Sequence, residues 1–327
     1  MNPIYVNPAT GHLLRVVDDA LVDDAGGNFP IVGGIPRFCE VENYASSFGH
    51  QWNKFQGTQI DREGVGGEPS KVRFFAETGW RPEELAGLDI LEVGSGAGRF
   101  SRVVLEATTA NLYSVDYSSA IEANWRNNGA IAPDRLHLSQ ASIYDLPFPD
   151  GRFDKVVCLG VLQHTPDFEA SISSLVRKAR PDGEIVVDFY EIRGFWTKLN
   201  AKYLLRPVTR RMSQERLLSL IDRHADRLIA ASRLLQRIGL GMLRRFLPVV
   251  DIYGTLPAGL SEDQLREWVV LDTFDMFSPA YDNPQRLKDV EKMFERAGAT
   301  VRFAGHIDSA AVVRAVRRKT ETGELSE

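Results

Sequence analysis

The sequence predicts an α/β fold: a doubly wound, mostly parallel seven-stranded sheet with a small N-terminal β module and a helical insertion. Three observations carry this prediction. Between residues 88 and 190, short apolar runs alternate with amphipathic stretches, as in strands joined by helices. Residues 1–40 break into short β pieces at Gly- and Pro-containing turns. Residues 193–250 carry thirteen Lys or Arg against three acids, with apolar residues at helical spacing.

These patterns divide the chain of 327 residues into six predicted segments. They are a ribbon-like β module at 1–40, a helical lid or linker at 41–80, the α/β core at 81–192, a basic helical insertion at 193–265, the C-terminal part of the core with a connecting loop and the last two strands at 266–318, and a tail at 319–327. With 43% apolar residues, the chain can bury one sizeable core and a smaller satellite.

Composition excludes several classes of protein. The net charge of −5 and the pI of about 5.8 argue against a general nucleic-acid binder. Two cysteines, Cys39 and Cys158, are too few for a disulfide framework. The first residues show no charged leader before an apolar core, and no run approaches the ~20 apolar residues of a membrane span. We therefore expect a cytoplasmic protein without a transmembrane segment.

The elements of the core follow in order from these patterns. Strands are predicted at 88–93, 111–116, 136–140, 153–160 and 183–190, with helices at 97–108, 118–130 and 167–180; a helix at 284–298 then precedes strands at 300–306 and 310–318.

An aromatic stripe precedes the core. Tyr44, Phe48, Trp52 and Phe55 recur at spacings of four, four and three, which places them on one helical face. Such a face either packs on the main domain or covers a ligand pocket, in which case Trp52 would contact the substrate.

The stretch LEVGSGAGRF at 91–100 carries glycines at 94, 96 and 98. A strand that turns into a helix through glycine lets backbone N–H groups approach a ligand closely. Dinucleotide enzymes space these glycines differently and place a pyrophosphate over the turn. Glu92 would repel a pyrophosphate but attract an amino group or a sulfonium. The spacing and this charge therefore favour S-adenosylmethionine as the cofactor.

A second carboxylate supports an adenosine cofactor. Asp116 ends the next apolar strand, 22 residues after Gly94. An acid at about this distance accepts hydrogen bonds from the ribose hydroxyls of a nucleoside. The alternative is that Asp116 caps a helix.

Four stretches resemble one enzyme family: ILEVGSGAGRF, SVDYS, SIYDLPFPDGRFDKVVCLGVLQHTPD and RPDGEIVV. Together they resemble a class I S-adenosylmethionine-dependent methyltransferase with a type 11-like, Rossmann-like core, and with the flanking segments the likeness covers about two-thirds of the chain. The N-terminal module resembles a zinc ribbon in which NPAT, 22–26, 29–31 and 34–36 occupy the places of the usual motifs. Because all four cysteine positions are replaced, we expect no metal there.

The resemblance implies a set of cofactor contacts: Glu92, Gly94, Ser95, Gly96, Gly98, Asp116, Tyr117, Ser142, Ile143, Leu159 and Gly160. In the family an Asp commonly meets the adenine amino group where this chain has Ser142, so that contact departs from the family pattern. A hydroxyl can still accept one hydrogen bond there.

Three residues are candidates for a catalytic base. His164 has the best position, because an imidazole titrates near neutral pH and follows the fourth core strand. Tyr190 and His306 lie at the ends of later strands, where such sheets bind their ligands. The alternative for His164 is a packing role beside the cofactor.

The stretch LDTFDMFSPAYDNP at 271–284 is expected to be a connecting loop that lines an acceptor pocket through Asp272, Asp275 and Tyr281. The other interpretation is a rigid loop of turn-forming Asp and Pro. By analogy, the acceptor would be a hydroxyl or amine of a sugar, nucleotide sugar, polysaccharide or other intermediate of specialised biosynthesis.

The basic insertion has several possible partners: a phosphate-bearing acceptor, an anionic lipid surface, a second copy of the chain, or solvent alone. Nucleic-acid base methylation is disfavoured, because CLGVLQHTPD lacks the Pro-Pro-aromatic run that clamps a flipped base. Two rival functions stay open: a non-catalytic partner that keeps the cofactor fold, and a nicotinamide oxidoreductase.

Overall fold

The computed structural model describes residues 4–40, 43–61, 68–194, 197, 199–257 and 259–319. The strands are β1 Arg15–Val17, β2 Ala20–Val22, β3 Asn28–Val32, β4 Ile35–Pro36, β5 Asp89–Val93, β6 Asn111–Asp116, β7 Leu136–Gln140, β8 Phe153–Cys158, β9 Ala179–Phe189, β10 Ala299–Ile307 and β11 Ala310–Arg317. The helices are α1 Ser46–Lys54, α2 Pro69–Thr78, α3 Arg99–Ala107, α4 Ile121–Asn128, α5 Phe168–Lys178, α6 Ala201–Thr209, α7 Gln214–Arg237, α8 Glu262–Phe277 and α9 Leu287–Arg296.

Seven strands form the central sheet, in the order β10-β11-β9-β8-β5-β6-β7. The five strands from β5 to β9 pair in parallel, and β11 runs antiparallel to both β9 and β10. The predicted fold class is confirmed. Because the parallel strands end at the same edge, the loops after β5, β6, β8 and β9 converge there, which is where open α/β sheets bind ligands.

Apolar side chains cover both faces of the sheet, as buried parallel strands require. Leu91 of β5 belongs to the cluster that includes Phe168 of α5 and Phe294 of α9. Ile90, the preceding residue, belongs to the cluster that includes Phe74 of α2 and residues of α3. The alternation along β5 thus anchors helices on opposite sides.

The N-terminal module is a four-stranded antiparallel sheet in sequential order. It joins the core at the edge strand β7, where the Phe38 amide donates to the Gln140 carbonyl at 2.8 Å. The Tyr5 ring stacks on Phe148 at 5.5 Å and lies 5.6 Å from Phe38. These apolar contacts hold the module on the core. Within the described part of the chain, no group of three His, Cys, Asp or Glu side chains could bind a metal.

The prediction that 271–284 is a loop was wrong for its first half, because 271–277 form the end of α8. Ser261 and Gln264 form a capping box that starts this helix. Leu271, Phe274 and Phe277 are buried in it. Packing of these side chains fixes the helix, and the predicted boundary at 265/266 falls inside it.

The basic insertion contains α6 and α7, as predicted. Leu217 and Ile221 of α7 pack against Val270 and Phe274 of α8. None of the helices in the described ranges is long and apolar enough to cross a membrane. The predicted tail lies outside the described residues from position 320 onward.

Candidate active site

The glycine loop joins β5 to α3 in a backbone form that favours glycine. Gly94, Gly96 and Gly98 have φ angles of 81°, 54° and 82°, values that side chains disfavour. A Cβ at Gly94 would lie 2.3 Å from a Val161 methyl, and one at Gly98 would lie 2.2 Å from Asn124 Oδ1. The loop therefore packs directly on its neighbours and presents its backbone at the sheet edge.

Asp116 ends β6 beside this loop. Its Oδ2 accepts the Gly96 N–H at 2.8 Å, and its Oδ1 accepts the Ser118 N–H at 2.8 Å and the Ser118 hydroxyl at 2.6 Å. Burial raises the pKa of Asp116 above its ordinary value. A carboxylate accepts about four hydrogen bonds, so Oδ2 can accept another from a ligand hydroxyl.

Glu92 is buried beside the glycine loop, and two serines hold one of its carboxylate oxygens. Its Oε2 accepts the Ser101 hydroxyl at 2.5 Å and the Ser114 hydroxyl at 2.9 Å. Asn124 donates to both serines, at 2.9 and 3.1 Å. Burial raises the pKa of Glu92 to about 7, although the two serine hydrogen bonds oppose that rise. Glu92 thus lies beneath the loop and joins β5 to α3 and β6.

The other predicted cofactor contacts surround Asp116. The Ser95 hydroxyl is buried and has no hydrogen-bond partner among the residues the structure describes. The Tyr117 ring lies 4.9 Å from the Tyr44 ring. Ser142 and Ile143 are both buried in the loop after β7. The structure therefore brings these four residues to the same edge of the sheet.

An ionic cluster at the end of β9, formed by two buried acids and a half-buried arginine, was not predicted from the sequence. Asp188 accepts a hydrogen bond from the backbone N–H of Gly160, the residue that follows Leu159. It accepts a second hydrogen bond from Arg73 Nη2 at 2.5 Å. Arg73 Nε donates to Glu77 Oε1 at 2.7 Å. Burial and the nearby Asp188 raise the pKa of Glu77 to about 7. An acid inside the apolar run GEIVVDFY was the only sequence signal for this cluster.

Arg99, the first residue of α3, is a half-buried cation next to the glycine loop. It donates to the Ser70 hydroxyl at 2.8 Å and to Gln59 at 3.3 Å. It forms no ion pair within the described ranges. Burial, followed by the neighbouring Arg73, lowers the pKa of Arg99 to about 10. A half-buried cation without an ion pair in the described chain favours an anionic ligand group.

His164 is buried, and its protonation pattern follows from one contact. Its Nδ1 lies 3.1 Å from the carbonyl oxygen of Tyr281. Because a carbonyl only accepts, Nδ1 carries the proton and Nε2 carries the lone pair. Burial lowers the pKa of His164 below 6.5. The ring packs against Phe48 at 5.0 Å and Tyr190 at 5.7 Å. Within the described ranges Nε2 has no hydrogen-bond partner, and a neutral imidazole in this state is suited to accept a proton.

Tyr190 connects His164 to the predicted acids of α8. The Tyr190 hydroxyl donates to Asp275 Oδ2 at 3.3 Å. Lys202 from α6 lies 4.4 Å from the Tyr190 ring and binds Asp282 at 2.7 Å. Burial and Asp275 raise the pKa of Asp272 to about 7. The basic insertion thus contributes a lysine to the wall of the site, which the sequence did not predict.

The aromatic stripe lies across both the glycine loop and the part of the site that contains His164. The Trp52 indole lies so close to the glycine loop that a Cβ at Gly96 would be 3.0 Å from its nitrogen. Phe48 contacts His164, and the Tyr44 ring packs edge-on against the Tyr281 ring at 5.4 Å. The stripe therefore connects the loop to the predicted acceptor side.

His306 is separate from this group. Its Nε2 lies 2.7 Å from Glu191 Oε2, and Glu191 also binds Arg193 at 2.8 Å. Its contacts within the described chain include neither the glycine loop nor His164. The prediction of a catalytic role for His306 is not supported, because strand β10 lies at the outer edge of the sheet.

Comparison with known proteins finds one family that the centre of the chain matches. Residues 91–187 match the methyltransferase domain family. The tRNA U34 carboxymethyltransferase of Nautilia profundicola is 27% identical over 137 residues, which cover 38% of this chain and 46% of that protein. The chloroplastic tocopherol O-methyltransferase of Arabidopsis thaliana is 32% identical over 101 residues, 30% of this chain and 29% of that protein. The chain thus spans less than half the length of these relatives.

Among solved structures, the chain is similar to the magnesium protoporphyrin IX methyltransferase of Synechocystis PCC 6803 with bound S-adenosylhomocysteine. The TM-score is 0.46 at 17% identity, and the likeness covers 84% of this chain and 96% of that one.

Proposed function

We propose that this chain, whose residues 91–187 are a class I S-adenosylmethionine-dependent methyltransferase domain, methylates a hydroxyl or amine of a small-molecule acceptor. The observation that carries the proposal is His164, a buried neutral imidazole at the ligand edge of the sheet whose Nε2 has no hydrogen-bond partner among the described residues. A sugar, a nucleotide sugar, a polysaccharide or another intermediate of specialised biosynthesis would offer such an acceptor group.

Three groups of the site match the chemistry of the cofactor. Asp116 keeps an acceptor position for a ribose hydroxyl, and the buried Ser95 hydroxyl lacks a partner within the described chain. Arg99, without an ion pair among the described residues, suits the carboxylate of the methionine portion. A Cβ at Gly160 would meet no atom within 4 Å, so space opens beside the loop. When bound, S-adenosylmethionine supplies a methyl group on a positively charged sulfur.

His164 would act on the acceptor. A hydroxyl or ammonium must lose a proton when it is methylated, and Nε2 can receive that proton while the Tyr281 carbonyl holds the imidazole ring in place. Because a sulfonium is a good leaving group, most of the rate would come from holding the acceptor in line. Phe48 and Tyr190, which pack on the imidazole, restrict where the acceptor can sit.

The acids of α8 would orient the acceptor. Asp275 already accepts the Tyr190 hydroxyl, and Asp272 accepts Gln59 at 3.0 Å. Because Asp272 has a pKa of about 7, it can donate as well as accept near neutral pH. This pair suits an acceptor with several hydroxyl groups.

The test is transfer of a labelled methyl group from S-adenosylmethionine to a panel of sugars, nucleotide sugars and amines by the purified chain. We expect a labelled product and a rate that falls by about 10²–10⁴ in His164→Gln. His306→Gln is the matched control and should keep its rate. Binding of S-adenosylhomocysteine without turnover on any acceptor would favour the non-catalytic partner, and binding of NADH in its place would favour the oxidoreductase.

A further inference from the structure

Exposed apolar side chains concentrate in the basic insertion. More than half of the exposed large apolar residues in the described chain lie between 204 and 253. Leu204 and Val208 of α6 are 61% and 64% exposed, and Met242 is 87% exposed. Single exposed leucines are ordinary, but a cluster of this kind marks a contact surface.

Two parts of the insertion share this surface. The first is α6, and the second is the 238–246 segment, where Ile238, Leu243 and Phe246 are exposed. Arg245 Nε donates to the Leu199 carbonyl at 2.9 Å, which joins the second part to the chain two residues before α6. We call these two parts together the α6 face.

Basic residues predominate around the α6 face, although Arg244 pairs with Asp251 at 2.9 Å. No acid occurs in 193–214 or in 227–250. Arg210, Arg211 and Arg237 are exposed. Residues 193–250 carry a net charge of +10, although the whole chain carries −5. Exposed aliphatic side chains framed by arginine are typical of segments that lie in the interface of an anionic membrane.

We propose that the α6 face docks on an anionic phospholipid surface. Single-stranded RNA would bind through stacked aromatic rings, but the apolar members of this face are mostly aliphatic. A second copy of the chain would bring like charges together, since a two-fold contact pairs a surface with itself. Anionic headgroups complement the arginines, and the acyl boundary accepts the leucines.

Helix α6 joins this surface to the site already described. Lys202 and Arg206, four residues apart, face inward, and Arg206 donates to the Pro279 carbonyl at 2.9 Å. Leu204 and Val208, also four apart, face outward. An amphiphilic acceptor would then reach the site from the membrane. That consequence rests on the proposed function, whereas the docking does not.

The test is co-sedimentation of the full chain with phosphatidylcholine vesicles, with and without about 30% phosphatidylglycerol. We expect binding only to the anionic vesicles, weakened by salt. Leu204→Glu should reduce vesicle binding by about tenfold. Leu13→Glu, at a 69% exposed leucine of the N-terminal module, should leave it unchanged.

Single charges give a second readout. Arg210→Ala should weaken vesicle binding by about fivefold, while Arg302→Ala, at an exposed arginine of β10, should not. Equal binding by Leu204→Glu and wild type, or no binding to anionic vesicles at low salt, would overturn the proposal.

Two further outcomes would also overturn it. One is a dimer in light scattering that Leu204→Glu dissociates, without vesicle binding, which would assign the face to a second copy. The other is binding of an RNA oligonucleotide in preference to vesicles. Vesicle binding needs no turnover, so failure of the docking and failure of the methyl transfer are separate results.

Discussion

Replacing Glu92 with glutamine should remove a pH dependence of stability that the wild-type chain carries. The Glu92 carboxylate is buried beneath the glycine loop, and its folded-state pKa is about 7 against an ordinary value of 4.5. The folded state therefore binds this proton more tightly than the unfolded state. As a result, the contribution of Glu92 to stability is complete below about pH 4.5 and is lost as the pH rises to about 7.

The magnitude follows from that pKa difference. Between these two pKa values the folded state keeps the proton and the unfolded state has lost it. Over that range, each unit of increase in pH lowers the free energy of unfolding by ~1.4 kcal/mol. Between about pH 5 and about pH 8, wild type should lose about 3 kcal/mol through this residue. Glu92→Gln is neutral at every pH, and its amide can still accept a hydrogen bond from Ser101 or Ser114.

The assay is urea unfolding of both proteins at these two pH values, followed by fluorescence. Wild type and Glu92→Gln should be similar at the lower pH, and the variant should be the more stable at the higher pH. Other ionisable groups cancel in this comparison. Glu106→Gln, on the exposed side of α3, controls for removal of a charge. A difference between wild type and Glu92→Gln that does not change with pH would refute the reasoning.

Three further outcomes are expected. Asp116→Ala should weaken S-adenosylhomocysteine binding by ~1–3 kcal/mol in calorimetry, and an unchanged affinity would contradict the ribose assignment. Gly98→Ala should lower thermal stability by about 1–3 kcal/mol more than Gly87→Ala. Both glycines have a positive φ, but only the Cβ added at Gly98 would clash, 2.2 Å from Asn124. Equal losses in the two variants would show that this clash does not occur. The acid limb of kcat/KM should lie below pH 6.5, where protonation removes the His164 base, and a limb above it would argue against His164.

Strand order and the ligand edge could be predicted from the sequence because they depend on local patterns. Asp116 follows an apolar strand, so its place at the sheet edge comes from the strand's own length. The orientation of Glu92 could not be predicted in this way. It depends on Ser101 and Ser114, which lie on two other elements and offer the carboxylate buried hydroxyls.

On the acceptor side of the site, contacts between residues far apart in the sequence could not be predicted. Lys202 reaches Asp282 across 80 residues of sequence, and Arg73 reaches Asp188 across 115. No periodicity relates such residues, because tertiary packing brings them together. The end of α8 was missed for another reason: its acids suggested a loop, although the capping box at Ser261 predicts a helix.

The position of β11 between β9 and β10 affects how the chain can be synthesised and folded. Strand β9 ends at Phe189, and its outer neighbour begins only at Ala310. During synthesis from the N-terminus, the backbone groups along that side of β9 stay without their ladder partner until residues 310–317 have left the ribosome. An unpaired strand edge can recruit other strands. Truncation before Ala310 should therefore give aggregated protein rather than a smaller folded domain.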